Sequence, residues 1–430
     1  AKRCEFVLSQ IPRELTVTTG LAKRNGFFTS HSPQLELSGQ APATRTVSVT
    51  VNGHAADWVA PEARWQANVT LRRGLNRLLV HALDASGNVV ARQDADVWHG
   101  AAPSRSLAQR LSQSTRWTAA QPLLVARPLV VPAGVTLTVD PGATICFSPD
   151  GRLLVEGRLL AEGEAQQRIQ FLRAPGSTGA WGGIGFSNSE YDNRLAYVDF
   201  HHTSSYALAV TNSVVTLDHV QWHGTRTNLI WFQNASLKVR DCVFPNLSHS
   251  EHVRGIGIRA DGELVFARNR FGGTTGYNDI LDVSGGKRPG PILQLYGNEF
   301  LGGSDDGLDL DGMDAHIEGN TFHGFHKRNT TLSISAAVAT GRHNEQASDL
   351  TMVRNVFYDN DYHVLIKQGG RLEAANNTFY GGALGAIAFD EPLRELEMPL
   401  GARLTGNIFS GNNADLIHLK PLWLEQNWVW

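Results

Sequence analysis

Between residues 34 and 98, apolar and polar residues alternate with a period of two in several short runs. The runs include PQLELSG, RTVSVTVNG, RWQANVTL and GLNRLLVHALD. Alternation of this kind is typical of strands that bury one face. Asn52-Gly53 separates two of the runs, and both residue types accept the backbone angles of a tight hairpin. The pattern therefore predicts a small β-sandwich in residues 1–98.

The segment 99–118 breaks this alternation. Its sequence, GAAPSRSLAQRLSQSTRWTA, holds the best short helical pattern of the chain. We expect a linker here that also serves as a cap for the domain that follows.

The rest of the chain repeats. An aromatic residue recurs at nearly regular intervals, and each longer interval resembles the shortest one with an insertion. The aromatic residues are Phe200, Trp222, Phe244, Phe271, Phe300, Phe322, Phe357, Phe379 and Phe409. From Phe271 onward an Asn stands two positions before each of them, at Asn269, Asn298, Asn320, Asn355, Asn377 and Asn407.

A repeat of about 22 residues predicts coils of three short strands, stacked as a parallel β-helix over residues 119–430. Equivalent side chains would then form ladders, and stacked coils would bury a column that no single coil could bury alone. We assign the Asn of each repeat to the sharp bend, because Asn tolerates the left-handed conformation. The predicted fold class is all-β, with a right-handed parallel β-helix preceded by a small sandwich.

Composition supports a β-rich protein with many turns. Charged residues make up 18% of the chain, 43 residues are Gly, and 42% are hydrophobic. These values argue against a coiled coil, a disordered chain and a long helical bundle. The net charge of −3 gives no basic face for nucleic acid, and no apolar run is long enough to span a membrane. We expect a monomer, either alone or as a part of a larger multidomain protein.

The three cysteines do not indicate a zinc site or a disulfide framework. Cys4, Cys146 and Cys242 lie far apart and form no CxxC pair. Cys146 stands in an apolar run, so we expect it to be a small buried hydrophobic residue.

Aspartates are concentrated in the segment GGSDDGLDLDGMD, which holds Asp305, Asp306, Asp309 and Asp311. Leucines alternate with the last two, so a strand here would send the leucines inward and the carboxylates outward. Asp279 and Asp282 precede Asp306 and Asp309 by one and the same interval, which is the length of a coil. Adjacent coils therefore present acids in the same register.

Clustered carboxylates repel one another unless a cation is bound or some of them are protonated. Calcium is our first choice, because it prefers several oxygen ligands. The predicted metal ligands are Asp279, Asp282, Asp305, Asp306 and Asp309. Two alternatives stay open: protonated catalytic acids, and a solvated face of turn-forming aspartates.

Two resemblances follow from these motifs. The strand pattern of residues 34–98 resembles the immunoglobulin-like modules of bacterial surface and secreted proteins. The opening coils, VVPAGVTLTVDPGATICF and GRLLVEGRLLAEG, resemble bacterial right-handed parallel β-helices of the pectate-lyase-like superfamily. The second resemblance covers residues 119–430 and is more specific for fold than for chemistry.

The spacing D-D-x-x-D, with an earlier Asp one coil before, is similar to the calcium site of family 9 pectate lyases. Those enzymes bind calcium with four aspartates and use a lysine as the base. Asp305, Asp306 and Asp309 match the motif, and Asp279 or Asp282 would be the preceding acid. The lysine has no single counterpart.

Several basic and aromatic residues flank the acids. The catalytic candidates are Lys367, Lys327, Arg328 and Asp311. The candidates for substrate binding are Lys287, Arg288, Tyr277, Tyr362 and Arg371.

The resemblance implies a secreted or cell-surface, calcium-dependent lyase that cleaves a uronic-acid polysaccharide by β-elimination. A glycoside hydrolase is the first alternative, with aspartates such as Asp305, Asp306 and Asp311 as acid and base. A non-catalytic carbohydrate-binding or surface module is the second, with calcium only stiffening the coils.

Overall fold

Strands make up nearly all regular structure in the computed structural model, which describes residues 11–24, 26–103, 106–327, 334–390 and 401–418. Within these ranges the one helical element is a 3-10 turn at Ala60–Glu62. No helix in the described ranges has the length and hydropathy needed to cross a membrane. Residues 419–430 lie outside these ranges.

The N-terminal segment folds into two sheets packed face to face. One sheet has six strands, in the order Lys23–Arg24, Phe27–Ser30, Val89–His99, Gly74–Leu83, Ser48–Val51 and His54–Ala55. The other has three, in the order Gln34–Gln40, Arg64–Thr70 and Asp57–Val59. Leu37, Val49 and Trp65 are among the buried residues between them. The predicted sandwich is present, and its immunoglobulin-like character stays a prediction.

The described residues between 115 and 418 form the predicted parallel β-helix, and we number its three sheets in the order in which the chain reaches them after residue 126. The first sheet contains Leu129–Val131, Leu153–Val155, Ile184–Ser187, Leu208–Thr211, Ile230–Arg240, Val253–Ile258, Leu281–Ser284, Leu308–Asp311, Ala336–His343, Tyr362–Lys367, Gly385–Asp390 and Leu416–His418.

The second sheet shares the long strand Ile230–Arg240 with the first sheet. Its other strands are Thr115–Trp117, Thr136–Val139, Arg158–Glu162, Asp192–Ala196, Val214–Asp218, Leu264–Ala267, Leu293–Tyr296, Ala315–Glu318, Asp349–Val353, Arg371–Ala375 and Gly401–Thr405.

The third sheet carries the repeated aromatic residues. It contains Leu123–Val125, Thr144–Phe147, Ile169–Arg173, Val198–His201, Gln221–His223, Val243–Phe244, Arg270–Phe271, Glu299–Phe300, Thr321–His323, Val356–Tyr358, Thr378–Tyr380 and Ile408–Ser410. Two short excursions, Leu247–Ser248 and Thr274–Thr275, pair with each other, and Gln346–Ala347 forms a hairpin with the end of Ala336–His343.

The Asn residues of the repeat form a buried ladder. In each step, the side-chain oxygen of one Asn accepts hydrogen bonds from the backbone and side-chain amides of the Asn one coil earlier. Asn298 donates to Asn320 in this way with both distances at 2.8 Å, and Asn320 donates to Asn355. The adjacent Phe rings stack, with centroids 4.5 Å apart between Phe300 and Phe322. The predicted ladders are therefore present.

The bend itself is not made by these Asn residues. The positive φ angle belongs to the residue before the ladder Asn, for example Arg268 (55°), Arg354 (54°) and Asn376 (58°). The ladder Asn is instead buried, at 1% exposure for Asn320. The prediction that these Asn residues adopt the left-handed conformation was wrong, because their amides satisfy buried backbone groups of neighbouring coils.

The short helical pattern within 99–118 forms no helix in the described part of that segment. The chain there runs extended along the first coil, and the Leu107 and Leu111 amides donate to the carbonyls of Leu124 and Val130. Both leucine side chains pack against the β-helix core. Pairing with the first coil satisfies these backbone groups, whereas an isolated helix of this length is only marginally stable in water.

The sandwich packs against the outer face of the third sheet. Phe27, Leu75 and Trp98 contact Leu124, Cys146 and Leu172, which lie in register on successive coils. Cys146 is buried in this contact, as predicted, and burial raises its pKa.

We expect Asn320→Ala to lower the free energy of unfolding by about 3 kcal/mol, because it leaves several buried polar groups unsatisfied. Those groups are the amides of Asn298 and the carbonyl of Leu295. Urea denaturation of this variant and of Asn413→Ala, at an exposed position, measures the difference. An unchanged midpoint for Asn320→Ala would contradict a structural role for the ladder.

His363 is held neutral by its surroundings. Asn360 donates to its Nδ1 at 2.9 Å, and its Nε2 lies 3.1 Å from the Asn412 oxygen. The Asn360 oxygen already accepts from the backbone amide of Phe325, so its amide group cannot turn round. Burial lowers the pKa of His363 to about 4.

His363 should therefore make folding weaker in acid. At pH values between its lowered folded pKa and its ordinary value near 6.5, His363 is protonated in the unfolded chain and neutral in the folded chain. The free energy of unfolding is therefore unaffected by this group above pH 6.5, and we expect it to fall by about 2 kcal/mol as the pH is lowered to 5. Denaturant melts at pH 7 and pH 5 measure this loss. The free energy of unfolding should fall by about 2 kcal/mol less in His363→Gln than in the native chain. Equal pH dependence in the two proteins would refute this assignment.

Candidate active site

Two neighbouring strands of the first sheet place acids on one outer face. Leu281–Ser284 and Leu308–Asp311 are parallel, with Asp282 opposite Asp309 and Ser284 opposite Asp311. The intervening leucines and valine are fully buried in the core. The alternation and the equal spacing read from the sequence are thus realised as side chains stacked one coil apart.

The loops that lead into these strands bring three more carboxylates together. One ligand atom from each of Asp279, Asp305 and Asp306 lies within 4.8 Å of the other two. Asp305 and Asp306 are only 5% exposed. The backbone amide of Asp306 donates to Asp279 Oδ1 at 3.0 Å, and that of Ala336 donates to Asp306 Oδ1 at 2.8 Å. We call Asp279, Asp305, Asp306 and Asp309 the acidic cluster.

The four carboxyl groups of the acidic cluster repel one another when all of them are ionised. Burial raises the pKa of Asp279 well above its ordinary value, and the charges of Asp306 and Asp309 raise it further. Burial and the charge of Asp309 do the same to the pKa of Asp306. Burial raises the pKa of Asp309 to about 6, although the amine of Lys367 opposes the rise. Such a site needs either a cation or bound protons.

Lys367 supplies one positive charge from two coils further on. Its Nζ lies 3.8 Å from Asp309 Oδ1. That oxygen is buried and has no hydrogen-bond partner in the part of the chain that the structure describes. Burial lowers the pKa of Lys367, but the carboxylates of Asp309 and Asp306 outweigh it, so the pKa is raised overall.

Small residues on the intervening coil allow this reach. Asp309 and Asp311 face Ala339 and Gly341 across the sheet, and Ala339 in turn faces Leu365. Asp311 leans over Gly341 so closely that a Cβ there would lie 1.5 Å from Asp311 Oδ1. Gly341 is therefore required for the present position of Asp311.

The donor set of the acidic cluster fits a hard cation such as calcium. Carboxylate oxygens at this spacing are its usual ligands, and the amides that hold Asp279 and Asp306 fix the orientation of two of them. The buried and unbonded Oδ1 of Asp309 lies at the edge of the same group in the described chain. Asp282, the remaining predicted ligand, instead pairs with Arg254 Nε at 3.3 Å.

Glu251 joins this acidic face and was not predicted from the sequence. It lies one coil before Asp279, where it accepts a 3.4 Å hydrogen bond from Asn228 and lies 3.8 Å from Arg254. Burial and the charge of Asp282 raise its pKa to about 7. Its separation from Asp279, close to the length of a coil, was the only sequence signal, and no second acid stands beside it.

Among the other predicted basic residues, Lys287 and Arg288 are bound at a different carboxylate. Lys287 Nζ lies 2.8 Å from the fully buried Asp314, and Arg288 binds the same carboxylate through its backbone amide. Their contacts tie a loop to the second sheet. Arg371 lies on the second sheet as well, and Arg328 is outside the described residues.

Lys327 is held in place through its backbone, whose amide donates to the Asp361 carboxylate at 2.7 Å.

The two predicted tyrosines differ in exposure. Tyr277 is 65% exposed beside the acidic cluster, whose carboxylate charges add to the effect of burial in raising its pKa. Tyr362 is only 7% exposed and packs among Ala and Leu side chains on the outer face of the first sheet, so its ring is not open for stacking.

Two other groups of side chains have metal-like spacing within the described residues, and both are neutralised by arginine. Asp199, grouped with His201 and His223, binds Arg168 at 2.9 Å. Asp218 and Asp241, grouped with His219, bind Arg240 and Arg268, each at 2.6 Å. These arginines supply the positive charge that a metal ion would otherwise bring.

No protein-family model matches the sequence, and no curated protein matches it either. Solved structures do match in shape. The chain is similar to a family 28 exopolygalacturonase from Yersinia enterocolitica at 9% identity, covering 95% of this chain and 98% of that one, with a TM-score of 0.36. It is similar to the catalytic domain of a GH87 α-1,3-glucanase at 11% identity, with coverages of 93% and 90% and a TM-score of 0.29.

A third similar structure is the periplasmic alginate epimerase AlgG, at 9% identity, with coverages of 71% and 78% and a TM-score of 0.22. Identities and TM-scores this low carry no argument about activity.

We expect Lys367→Met to lower the free energy of unfolding by about 2 kcal/mol at pH 8 without divalent cations, because it removes a partly buried charge from among acids. The folded-state pKa of Asp309 already lies above its ordinary value, so its protonation favours folding at low pH and this contribution disappears as the pH rises through about 6. The penalty should therefore shrink at pH 5.

Thermal or urea melts at both pH values measure this effect. Lys238→Met is the matched control, since Lys238 pairs with Glu263 on an exposed surface, where an ion pair contributes little to stability. A Lys367→Met penalty that is equal at pH 5 and pH 8 would show that the amine does not oppose the acids.

Proposed function

We propose that the protein is a calcium-dependent polysaccharide lyase that cleaves a uronic-acid polymer by β-elimination. The observation that carries the proposal is the acidic cluster with Lys367 at its edge, on an outer sheet face of the β-helix. Burial keeps Asp305 and Asp306 from water, and the side chain of Lys367 is 25% exposed, within reach of a ligand on the same face.

Lys367 is the proposed base. Its amine would take the proton from C5 of a uronate residue, whose electron pair then forms the C4–C5 double bond while the C4–O bond breaks. The leaving oxygen takes a proton from water and ends as a hydroxyl, and the ammonium group returns its proton to the hydroxide that remains. Positioning of the amine depends on Asp309 and on the small residues Ala339 and Gly341, which let the side chain extend back over one coil.

Asp279, Asp305, Asp306 and Asp309 are the residues that would hold calcium, which when bound supplies positive charge against the sugar carboxylate and makes the adjacent C5 proton more acidic. Two of these aspartates, Asp306 and Asp309, also raise the pKa of Lys367 most strongly. Neutralising them would therefore let the amine lose its proton more readily.

A metal-independent glycoside hydrolase is the second candidate, favoured by the raised pKa values on this face. Glu251, with a pKa of about 7, keeps its proton in part of the molecules at neutral pH, and Asp309, with a pKa of about 6, keeps it in slightly acidic solution. A protonated carboxyl can donate to a leaving glycosidic oxygen while a second, ionised one activates water.

We expect the full chain to release products with the ultraviolet absorbance of an unsaturated uronate when it is given uronate polymers with calcium, and to stop on addition of EDTA. Lys367→Ala should lower the rate by about a thousandfold, which is the usual scale of a lost general base. Lys238→Ala is the matched control, because this lysine lies on the second sheet, away from the acidic cluster.

Three results decide among the candidates. Reducing ends without ultraviolet absorbance, formed equally in EDTA, would overturn the lyase and establish the hydrolase. Full activity of Lys367→Ala would overturn the role of Lys367. No cleavage of any uronate or neutral polymer would leave a non-catalytic module, with calcium changing only the melting temperature.

A further inference from the structure

A single column of outward side chains runs from an aromatic residue to the acidic cluster. The parallel registers place Trp231 opposite Arg254, Arg254 opposite Asp282, and Asp282 opposite Asp309. The four residues stand on four successive coils of the first sheet. A ligand that lies along the axis of the β-helix would meet them in this order.

Trp231 faces outward because its neighbours face inward. Ile230 and Phe232 are fully buried in the core, so the residue between them must lie on the outer face. Its side chain is half-buried, and the ring of Tyr206, one coil earlier, lies 6.0 Å away at 38°. The two rings lie against each other, and part of the Trp231 side chain stays at the surface.

Arg254 adds a positive charge beside this aromatic surface. It pairs with Asp282 at 3.3 Å and approaches Glu251 at 3.8 Å, yet its side chain remains 55% exposed. Aromatic faces bind the C–H face of sugar rings, and a guanidinium binds carboxylates. An indole followed by an exposed arginine one coil on therefore suits a sugar that carries a carboxylate.

We propose that Trp231, with Tyr206 beside it and Arg254 one coil on, is a distal binding subsite for a uronate residue of the polymer. The inference rests on the proposed function, since the subsite lies on the same outer face of the first sheet as the acidic cluster. Coils are stacked about 4.8 Å apart, so Trp231 lies roughly 14 Å along the axis from Asp309. A sugar at Trp231 is therefore remote from the bond that breaks, and only a polymer of sufficient length reaches both places.

A distal subsite has a distinct kinetic signature. Binding at Trp231 adds affinity for long substrates and nothing for short ones, which end before they reach it. We expect Trp231→Ala to lower kcat/KM about tenfold on long uronate oligomers, mostly through KM, and to leave the shortest cleaved oligomer unchanged. Trp231→Phe, which keeps an aromatic face, should restore most of the loss.

Tyr380→Ala is the control, because Tyr380 is 57% exposed on the third sheet and away from the acidic cluster. Circular dichroism checks that each variant is folded, and if Trp231→Ala is not, Trp231→Leu against Trp231→Phe gives the same comparison. If kcat/KM depends on oligomer length in the same way in Trp231→Ala and in the native chain, the subsite is overturned, although the lyase proposal stands.

The subsite can also be tested if the proposed function fails. If the native chain cleaves no uronate polymer, the proposed function fails, and calorimetric titration with the intact polymer then tests the subsite alone. Binding by the native chain that is lost in Trp231→Ala and kept in Tyr380→Ala supports it. Equal binding by Trp231→Ala and the native chain, or no binding by the native chain, overturns it.

Discussion

In-register stacking of parallel coils is the constraint on which the rest of this structure depends. Each coil repeats the backbone path of the one before, so residues at equivalent positions lie directly above one another. In the interior this produces the Asn ladder and the stacked Phe rings, which satisfy buried amides and fill the core at the same time. On the outside the same constraint stacks whatever the sequence places there, including like charges.

The acidic face shows what that stacking costs. Asp282 above Asp309, and Asp279 beside Asp306, are arrangements that repulsion would exclude if nothing opposed it. The two other groups with metal-like spacing are neutralised by arginines at hydrogen-bonding distance. At the acidic cluster Lys367 stands further off, 3.8 Å from Asp309, and backbone amides hold Asp279 and Asp306. This difference in counter-charge is the reason why we propose the acidic cluster as the functional site.

Much of this could be predicted from the sequence because strand alternation and coil length are local properties. The offset between Asp282 and Asp309, shared by Asp279 and Asp306, is enough to place them on adjacent coils. The reach of Lys367 could not be predicted, since the axial distance of two coils suggested about 10 Å. It depends on small side chains on the coil between, and on the register of a long strand that also carries a hairpin.

The positions of other side chains could not be predicted for similar reasons. Lys287 and Arg288 stand near the acids in the sequence, but the buried carboxylate of Asp314 binds both. Tyr362 lies on the correct sheet and is covered by apolar neighbours, which no single-residue pattern reveals. Glu251 is an isolated acid in a polar stretch, and its significance appears only when it is stacked before the acidic cluster.

Calorimetric titration of the metal-free chain with calcium tests the central claim most directly. The account predicts one site whose affinity falls sharply in Asp279→Asn and in Asp306→Asn, and is unchanged in Asp218→Asn, where arginine already neutralises the carboxylate. No calcium binding, or binding that survives both substitutions in the acidic cluster, would contradict the claim that stacked coils assemble a cation site there.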